Sequence, residues 1–149
     1  MATDSTDIRM LNSLIETTID SADGYEQAAA QATDRELAEL FRRFGSERRQ
    51  VVADLRREVV SLGGDPEDDG SLLAGAHRAF LNIKSAFGSS NERVVEEVER
   101  GEDHIKDKYE AAMTEELSTP VRQAIEKAYR SVRAGHDTFS AMKHRLAAV

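Results

Sequence analysis

The fold is decided by residues 34–64, whose sequence is DRELAELFRRFGSERRQVVADLRREVVSLGG. Mainly apolar positions recur here at intervals of three and four residues, the spacing of one face of a helix packed in a bundle. They are Leu37, Phe41, Phe44, Arg48, Val51, Leu55, Glu58 and Leu62. The glycine pair at 63–64 ends the pattern, because glycine readily adopts the left-handed conformation that closes a helix C-terminus. The stretch therefore predicts one long helix over residues 34–62.

The rest of the chain repeats this helical pattern. Stripes with the same spacing predict four long helices, over residues 5–32, 34–62, 91–117 and 120–147. Thr33 and Glu36 have the capping-box spacing, so the second helix starts there almost without a loop. So short a turn makes the first two helices antiparallel neighbours.

A shorter helix, predicted over residues 71–87, determines the expected topology. With its flanks it spans about 27 residues, roughly 40 Å at 1.5 Å per residue, enough to run the length of the bundle. The expected fold class is all-α: a ferritin-like up-down-down-up four-helix bundle with a helical crossover between the second and third long helices. The chain is then a single domain over residues 1–149. The alternative is a plain five-helix array in which residues 71–117 form one kinked helix pair.

Composition narrows the function classes. Aromatic residues make up 5% of the chain and tryptophan is absent, which argues against modules that bind nucleic acids by base stacking. The absence of cysteine excludes disulfides, iron–sulfur clusters and cysteine nucleophiles. A net charge of −8 opposes binding to nucleic acids and anionic membranes. With no long apolar stretch and a polar, acidic start, we expect a soluble cytoplasmic protein.

One level of the bundle carries unusual residues. Four glycines fall inside the long helices, although an interior glycine costs about 1 kcal/mol relative to alanine. They are Gly24, Gly45, Gly101 and Gly135, and the crossover topology places them within about 6 Å of one level. Glu102 belongs to the same level and lies on an apolar stripe between Val98 and Ile105. Because an unpaired buried carboxylate is costly, Glu102 needs a partner.

Two interpretations of this level remain open. In the first, which we expect, Glu102 pairs with Arg48 in a structural network that includes Tyr25 or His136. The glycines then allow close contact between the helices. Under this interpretation the protein is not an enzyme and binds no cofactor. In the second, the bundle binds two iron or manganese ions. The candidate ligands are Glu16, Asp20, Glu47, Glu102 and His136. The Glu-x-x-His pairs typical of such centres are absent, since the residues three before the four histidines are Ala74, Gly101, Arg133 and Ala141.

Charged residues are segregated between helices. The third long helix has an acidic face formed by Glu92, Glu96, Glu97, Glu99 and Asp103. On the second helix, Arg42, Arg49 and Arg56 repeat every seven residues. Faces of opposite sign favour salt bridges within one chain, and they can also pair between two copies. The expected partner is a second copy of the chain in a homo-oligomer, most simply a dimer.

Short motifs along the whole chain resemble a bacterial family of uncharacterised ferritin-like four-helix-bundle proteins. They are LNSLIE at 11–16, GY at 24–25, ER at 47–48, LGGDP at 62–66, HR at 77–78, RGED at 100–103, Tyr109 and HD at 136–137. The resemblance implies a ferritin-like fold and a cytoplasmic bacterial protein, and it implies no defined activity. Members often carry glutamate where this chain has Ala30, which weakens a metal site here. Relatives in the wider group store iron, reduce peroxide or handle oxygen, so stress and metal roles follow by analogy.

Overall fold

The computed structural model of the protein describes residues 2–68 and 91–147, with side chains for 5–68 and 91–145. These residues form four α-helices and contain no strand, which confirms the predicted all-helical class for this part of the chain. The helices are α1 (Ala2–Gln31), α2 (Arg35–Ser61), α3 (Asn91–Ala112) and α4 (Thr119–Ala147). The predicted crossover helix over 71–87 lies outside the described residues. None of the described helices is both long and apolar enough to cross a membrane.

The end of α3 differs most from the prediction. The helix stops at Ala112, and the predicted extension to residue 117 is wrong. The chain turns here, because the backbone N–H groups of Thr114 and Glu115 donate to carbonyl oxygens three residues earlier, whereas an α-helix bonds four residues back. Arg122 of α4 donates from its guanidinium to the carbonyl oxygens of Met113 and Glu115, both at 2.7 Å. A side chain from α4 thereby satisfies carbonyl groups that the end of α3 leaves free.

The start of α2 is capped by Asp34, and the predicted cap at Thr33 is wrong. Asp34 has an extended backbone, and its Oδ1 accepts a 2.9 Å hydrogen bond from the backbone N–H of Leu37. Its negative charge also lies at the positive end of the helix dipole. The remaining helix bounds agree with the predicted ones to within three residues.

The helices form two antiparallel hairpins. In the first hairpin, Glu26 of α1 pairs with Arg49 of α2, whereas Asn12, earlier in α1, bonds to the carbonyl of Asp65 beyond the end of α2. Residue numbers thus rise in one helix as they fall in the other. In the second hairpin, the short connection over 113–118 joins α3 to α4. This short turn makes them antiparallel neighbours.

The two hairpins meet mainly through α2 and α4. The rings of Phe44 and Phe139 pack with centroids 5.5 Å apart, and Arg48, one turn later in α2, lies against Gly135, one turn earlier in α4. Hence α2 and α4 are also antiparallel, and α2 points in the same direction as α3. The end of α2 and the start of α3 therefore lie at opposite ends of the bundle.

The apolar core has two parts that lie on either side of a polar level. The larger part includes the fully buried residues Leu11, Leu14, Ile15, Leu55, Ile105 and Ile125. The smaller part is rich in aromatic residues and includes Tyr25, Phe41, Phe44, Val95 and Phe139. Each such side chain contributes about 1.5–3 kcal/mol by leaving water. These two parts hold the helices rigidly on both sides of the charged residues between them.

Candidate functional site

The middle of the bundle holds an ion pair between Arg48 of α2 and Glu102 of α3. Both residues lie on the apolar stripes of their helices, so helix periodicity turns both side chains inward. Arg48 Nη1 donates to Glu102 Oε1 at 3.0 Å, and Nη2 donates to Oε2 at 2.6 Å. The two side chains are 0% and 3% exposed. This is the two-bond geometry in which a guanidinium binds a carboxylate most strongly.

The other two helices complete the surroundings of this ion pair. From α1, Ser21 Oγ accepts a hydrogen bond from Arg48 Nη1 at 2.8 Å. From α4, Gly135 presents bare backbone, and a Cβ atom there would lie 2.6 Å from Arg48 Nη2 and 2.7 Å from Glu102 Oε2. The helix α4 reaches the ion pair only because residue 135 has no side chain. We refer to Ser21, Arg48, Glu102 and Gly135 as the polar centre.

The other interior glycines do not share the role of Gly135. At Gly45, a Cβ atom would lie 3.2 Å from the Cβ of Tyr25, so this glycine does bring α2 close to α1. A Cβ atom at Gly24 or Gly101 would meet nothing within 4 Å. The prediction that all four glycines allow close helix contact is therefore wrong for Gly24 and Gly101.

Tyr25 borders the polar centre through its ring. Arg48 Cζ lies 5.5 Å from the ring centroid, within the range of a cation–π interaction. The hydroxyl oxygen is buried and makes no hydrogen bond of normal geometry to the described residues. Burial raises the pKa of Tyr25 well above its ordinary value, and the charge of Glu102 raises it further. Burial lowers the pKa of Arg48, but the attraction of Glu102 together with the effects of Tyr25 and Tyr109 outweighs it, so the pKa is raised and the guanidinium stays charged.

A second buried polar contact lies close to Arg48 and joins Thr18 of α1 to Tyr109 of α3. Their hydroxyl oxygens are 2.7 Å apart, and Thr18 also donates to the carbonyl of Leu14 at 2.6 Å. Since a threonine hydroxyl has one proton, Tyr109 is the donor to Thr18. Burial raises the pKa of Tyr109 to about 12, and the charge of Arg48 acts in the opposite direction. The sequence places both residues on inward stripes, but periodicity alone does not pair them.

His136 lies outside the polar centre. Its Nε2 is 2.6 Å from Asp103 Oδ1 on α3, and its Nδ1 is 3.1 Å from Asp137 Oδ1 on α4. Tyr25 and His136 were the alternative partners expected for Glu102, and His136 does not contact it, because residue 136 is turned about 100° around the helix from the inward Gly135. Its side chain is 16% exposed and faces the outer seam between α3 and α4.

The five candidate metal ligands are not brought together. Glu47 is exposed, Glu16 and Asp20 are half-buried on α1, and His136 is at the outer seam. Both carboxylate oxygens of Glu102 accept hydrogen bonds from Arg48, whose positive charge opposes a cation at the same place. Over residues 5–68 and 91–145, no group of three or more histidine or acidic side chains could hold a metal ion. The donor set described here does not fit a two-metal centre.

Most of the segregated surface charge is used within the chain. Arg49 of α2 binds Asp23 and Glu26 of α1, and Arg56 binds Asp68. Two of the three arginines in the heptad repeat therefore pair with the chain's own acids. On α3, the acidic face is partly paired as well. Its ion pairs are Glu97 with Arg100 and Glu99 with Lys143, and Asp103 lies within hydrogen-bond distance of His136.

Comparison with known proteins gives a family without an assigned activity. Among curated proteins, none matches the chain. A family model described as a domain of unknown function, DUF2383, matches residues 6–115. This range covers three of the four residues of the polar centre, Ser21, Arg48 and Glu102, and it ends before α4. Since the match spans well over half of the chain, the protein belongs to the DUF2383 family.

Proposed function

We propose that this protein is a non-enzymatic, ferritin-like helical bundle that acts by associating with other protein chains, most simply with a second copy as a dimer. The ferritin-like assignment is supported by the helix directions. A bundle in which α2 runs parallel to α3, and both are antiparallel to α4, has the up-down-down-up order of ferritin-like folds.

The proposal that the protein is not an enzyme rests on the Arg48–Glu102 pair. In ferritin-like metal proteins, inward carboxylates on facing helices bind the ions. Here the inward carboxylate at mid-bundle is neutralised by a guanidinium through two hydrogen bonds. The guanidinium places its positive charge where a metal ion would have to bind, so we assign the pair the role of joining α2 to α3.

Association is supported by charged side chains that have no ion-pair partner among residues 5–68 and 91–145. On α2, the exposed Arg42 makes no ion pair with the described residues, and Glu92 and Glu96 on α3 make none with them either. Surfaces that carry both signs can complement the same surface on a second copy, as a twofold dimer requires. From the resemblance to the bacterial family, we further propose a cytoplasmic, stress-related role.

The test is sedimentation of the purified full chain over a wide concentration range, at low and high salt. We expect a dimer that dissociates as salt increases, because screening weakens exposed charge pairs. A monomer under all conditions would refute association.

Metal analysis of the same protein tests the non-enzymatic part separately. We expect no stoichiometric iron or manganese after incubation with either ion, and no acceleration of iron(II) oxidation. Stoichiometric metal that is lost in Glu102→Gln and retained in the control Glu39→Gln, at an exposed position of α2 outside the candidate ligand set, would overturn the non-enzymatic assignment.

A further inference from the structure

A groove that is open to solvent lies between α2 and α4. It has a volume of about 340 Å³, and Val51 of α2 and Ala128 of α4 form its floor. The wall on the α4 side consists of Ala124, Lys127 and Ser131. Two of these three side chains are small, and the distance between packed helices depends on the size of the side chains at their contact. A helix from another molecule can therefore come close to this wall.

No polar side-chain contact closes the seam between α2 and α4. Among residues 5–68 and 91–145, no ion pair or hydrogen bond joins a side chain of α2 to one of α4. Two other seams of the bundle are bridged at the surface. Arg49 of α2 binds Glu26 of α1, and Lys143 of α4 binds Glu99 of α3. The walls of the groove are thus available for contacts with a second molecule.

The two walls carry opposite charges that do not reach each other. Glu58 lines the groove on α2, and Lys127 lines it on α4. Arg48 lies against Gly135, and the two helices run antiparallel. Ten residues away from that level, Glu58 is therefore about level with Ile125, close to Lys127. Neither Glu58 nor Lys127 forms an ion pair within the part of the chain that the structure describes.

Opposite charges on its two walls make the groove complementary to itself. In a twofold dimer every contact occurs twice, because the same patch is used on both copies. When the α4 wall of one copy enters the groove of the other, its Lys127 meets the acidic α2 wall there. We propose, on the basis of the self-association proposed above, that this groove is the surface on which a second copy of the chain docks, with Lys127 of each copy paired with Glu58 of the other.

An exposed apolar patch continues this surface towards the end of α2. Val60 is 60% exposed, and among the described residues it is the only large apolar side chain with such exposure. It lines a second depression together with Pro66, and Arg57 lines both this depression and the groove. Exposed apolar surface next to charged residues is typical of protein interfaces. A partner with charge of one sign would match one wall of the groove, whereas a second copy matches both.

Sedimentation of full-length variants tests the groove. Ala124→Trp fills it from the α4 wall, and the control Ala111→Trp adds the same side chain at an exposed position of α3, outside the groove. We expect the dissociation constant of the dimer to rise about tenfold or more in Ala124→Trp and to stay near the wild-type value in Ala111→Trp. A wild-type dimer that the two variants affect equally, or not at all, would overturn the groove as the interface. A monomeric wild type would overturn the proposed self-association as well.

Exchange of charges between copies tests the pairing of Lys127 with Glu58. In a homodimer of Lys127→Glu or of Glu58→Lys, like charges oppose each other twice, so we expect each variant alone to dimerise several-fold more weakly than the wild type. In an equal mixture, each heterodimer has opposite charges at both contacts, and we expect it to form about as tightly as the wild-type dimer. A mixture that dimerises no more tightly than the separate variants would overturn the proposal, since mixing cannot restore a contact within one chain.

Discussion

Gly135 and Glu102 lie so close together that a Cβ atom on residue 135 would be 2.7 Å from Glu102 Oε2. The same atom would be 2.6 Å from Arg48 Nη2, so it would collide with both members of the ion pair. The glycine is therefore part of the polar centre, although it carries no functional group. It is what allows α4 to cover a charge pair that α2 and α3 supply.

Replacement of Gly135 by alanine is expected to separate Arg48 from Glu102. Breaking a buried ion pair costs about 3–5 kcal/mol. The better helix propensity of alanine returns about 1 kcal/mol. We therefore expect a net loss of about 2–4 kcal/mol in the free energy of unfolding, measured with urea.

Gly101→Ala is the matched control for this substitution. A Cβ atom at Gly101 meets nothing within 4 Å, so the variant gains helix propensity without a clash. We expect an unchanged or slightly raised stability, by up to about 1 kcal/mol. If the two alanine variants changed the free energy of unfolding by the same amount, close packing at Gly135 would not explain the effect of Gly135→Ala.

Replacement of Arg48 by methionine leaves Glu102 buried without a partner. We expect a loss of about 3–5 kcal/mol in the free energy of unfolding, because an uncompensated charge remains in the core. The double variant Arg48→Met, Glu102→Leu removes both charges and is expected to recover most of this loss. A single-variant effect below about 1 kcal/mol would contradict the buried position of Arg48.

The buried tyrosines predict a loss of stability in alkali. Burial raises the pKa of Tyr109 from 10.0 to about 12, so the folded state holds this proton more tightly than the unfolded chain. The resulting contribution to stability is fully present below about pH 10 and is lost as the pH rises from about 10 towards 12. In ultraviolet titration, we expect the ionisation of Tyr109 to accompany unfolding.

Tyr109→Phe separates this effect from other alkaline changes. The variant loses the hydrogen bond to Thr18, so we expect its free energy of unfolding to be about 1 kcal/mol lower at neutral pH. Above pH 10, we expect this free energy to fall less with rising pH than in the wild type. An unchanged alkaline unfolding curve would show that Tyr109 does not control it.

Much of the local structure was predictable from periodicity and from individual side chains. The stripe through Leu37, Phe41 and Phe44 is sufficient to predict α2, because spacing along a helix fixes which side chains share a face. The inward position of Glu102 follows from the same rule. The end of α3 was not predictable in this way, since the contacts of Arg122 that close it come from a helix further along the chain.

The partner of each polar side chain was harder to predict. Arg48 and Glu102 pair as expected, because they are the oppositely charged members of two inward stripes at the same level. His136 was expected in the same group, but it turns to Asp103 at the outer seam. Neighbouring residues on a helix point about 100° apart. The apolar pattern does not define side-chain directions more finely than this, so it cannot separate an interior position from one at a seam.

The amino-acid order by itself determined that the chain forms long amphipathic helices, where they begin and end except at the end of α3, and that Arg48 and Glu102 face the core. Those properties depend on residues three or four positions apart along the chain, and the sequence states these spacings directly. Only the tertiary structure decided that Gly135 lies on the ion pair, that Thr18 bonds to Tyr109, and that His136 lies between two aspartates. These contacts join different helices, and their distances depend on how the helices are rotated and spaced once the whole core is packed.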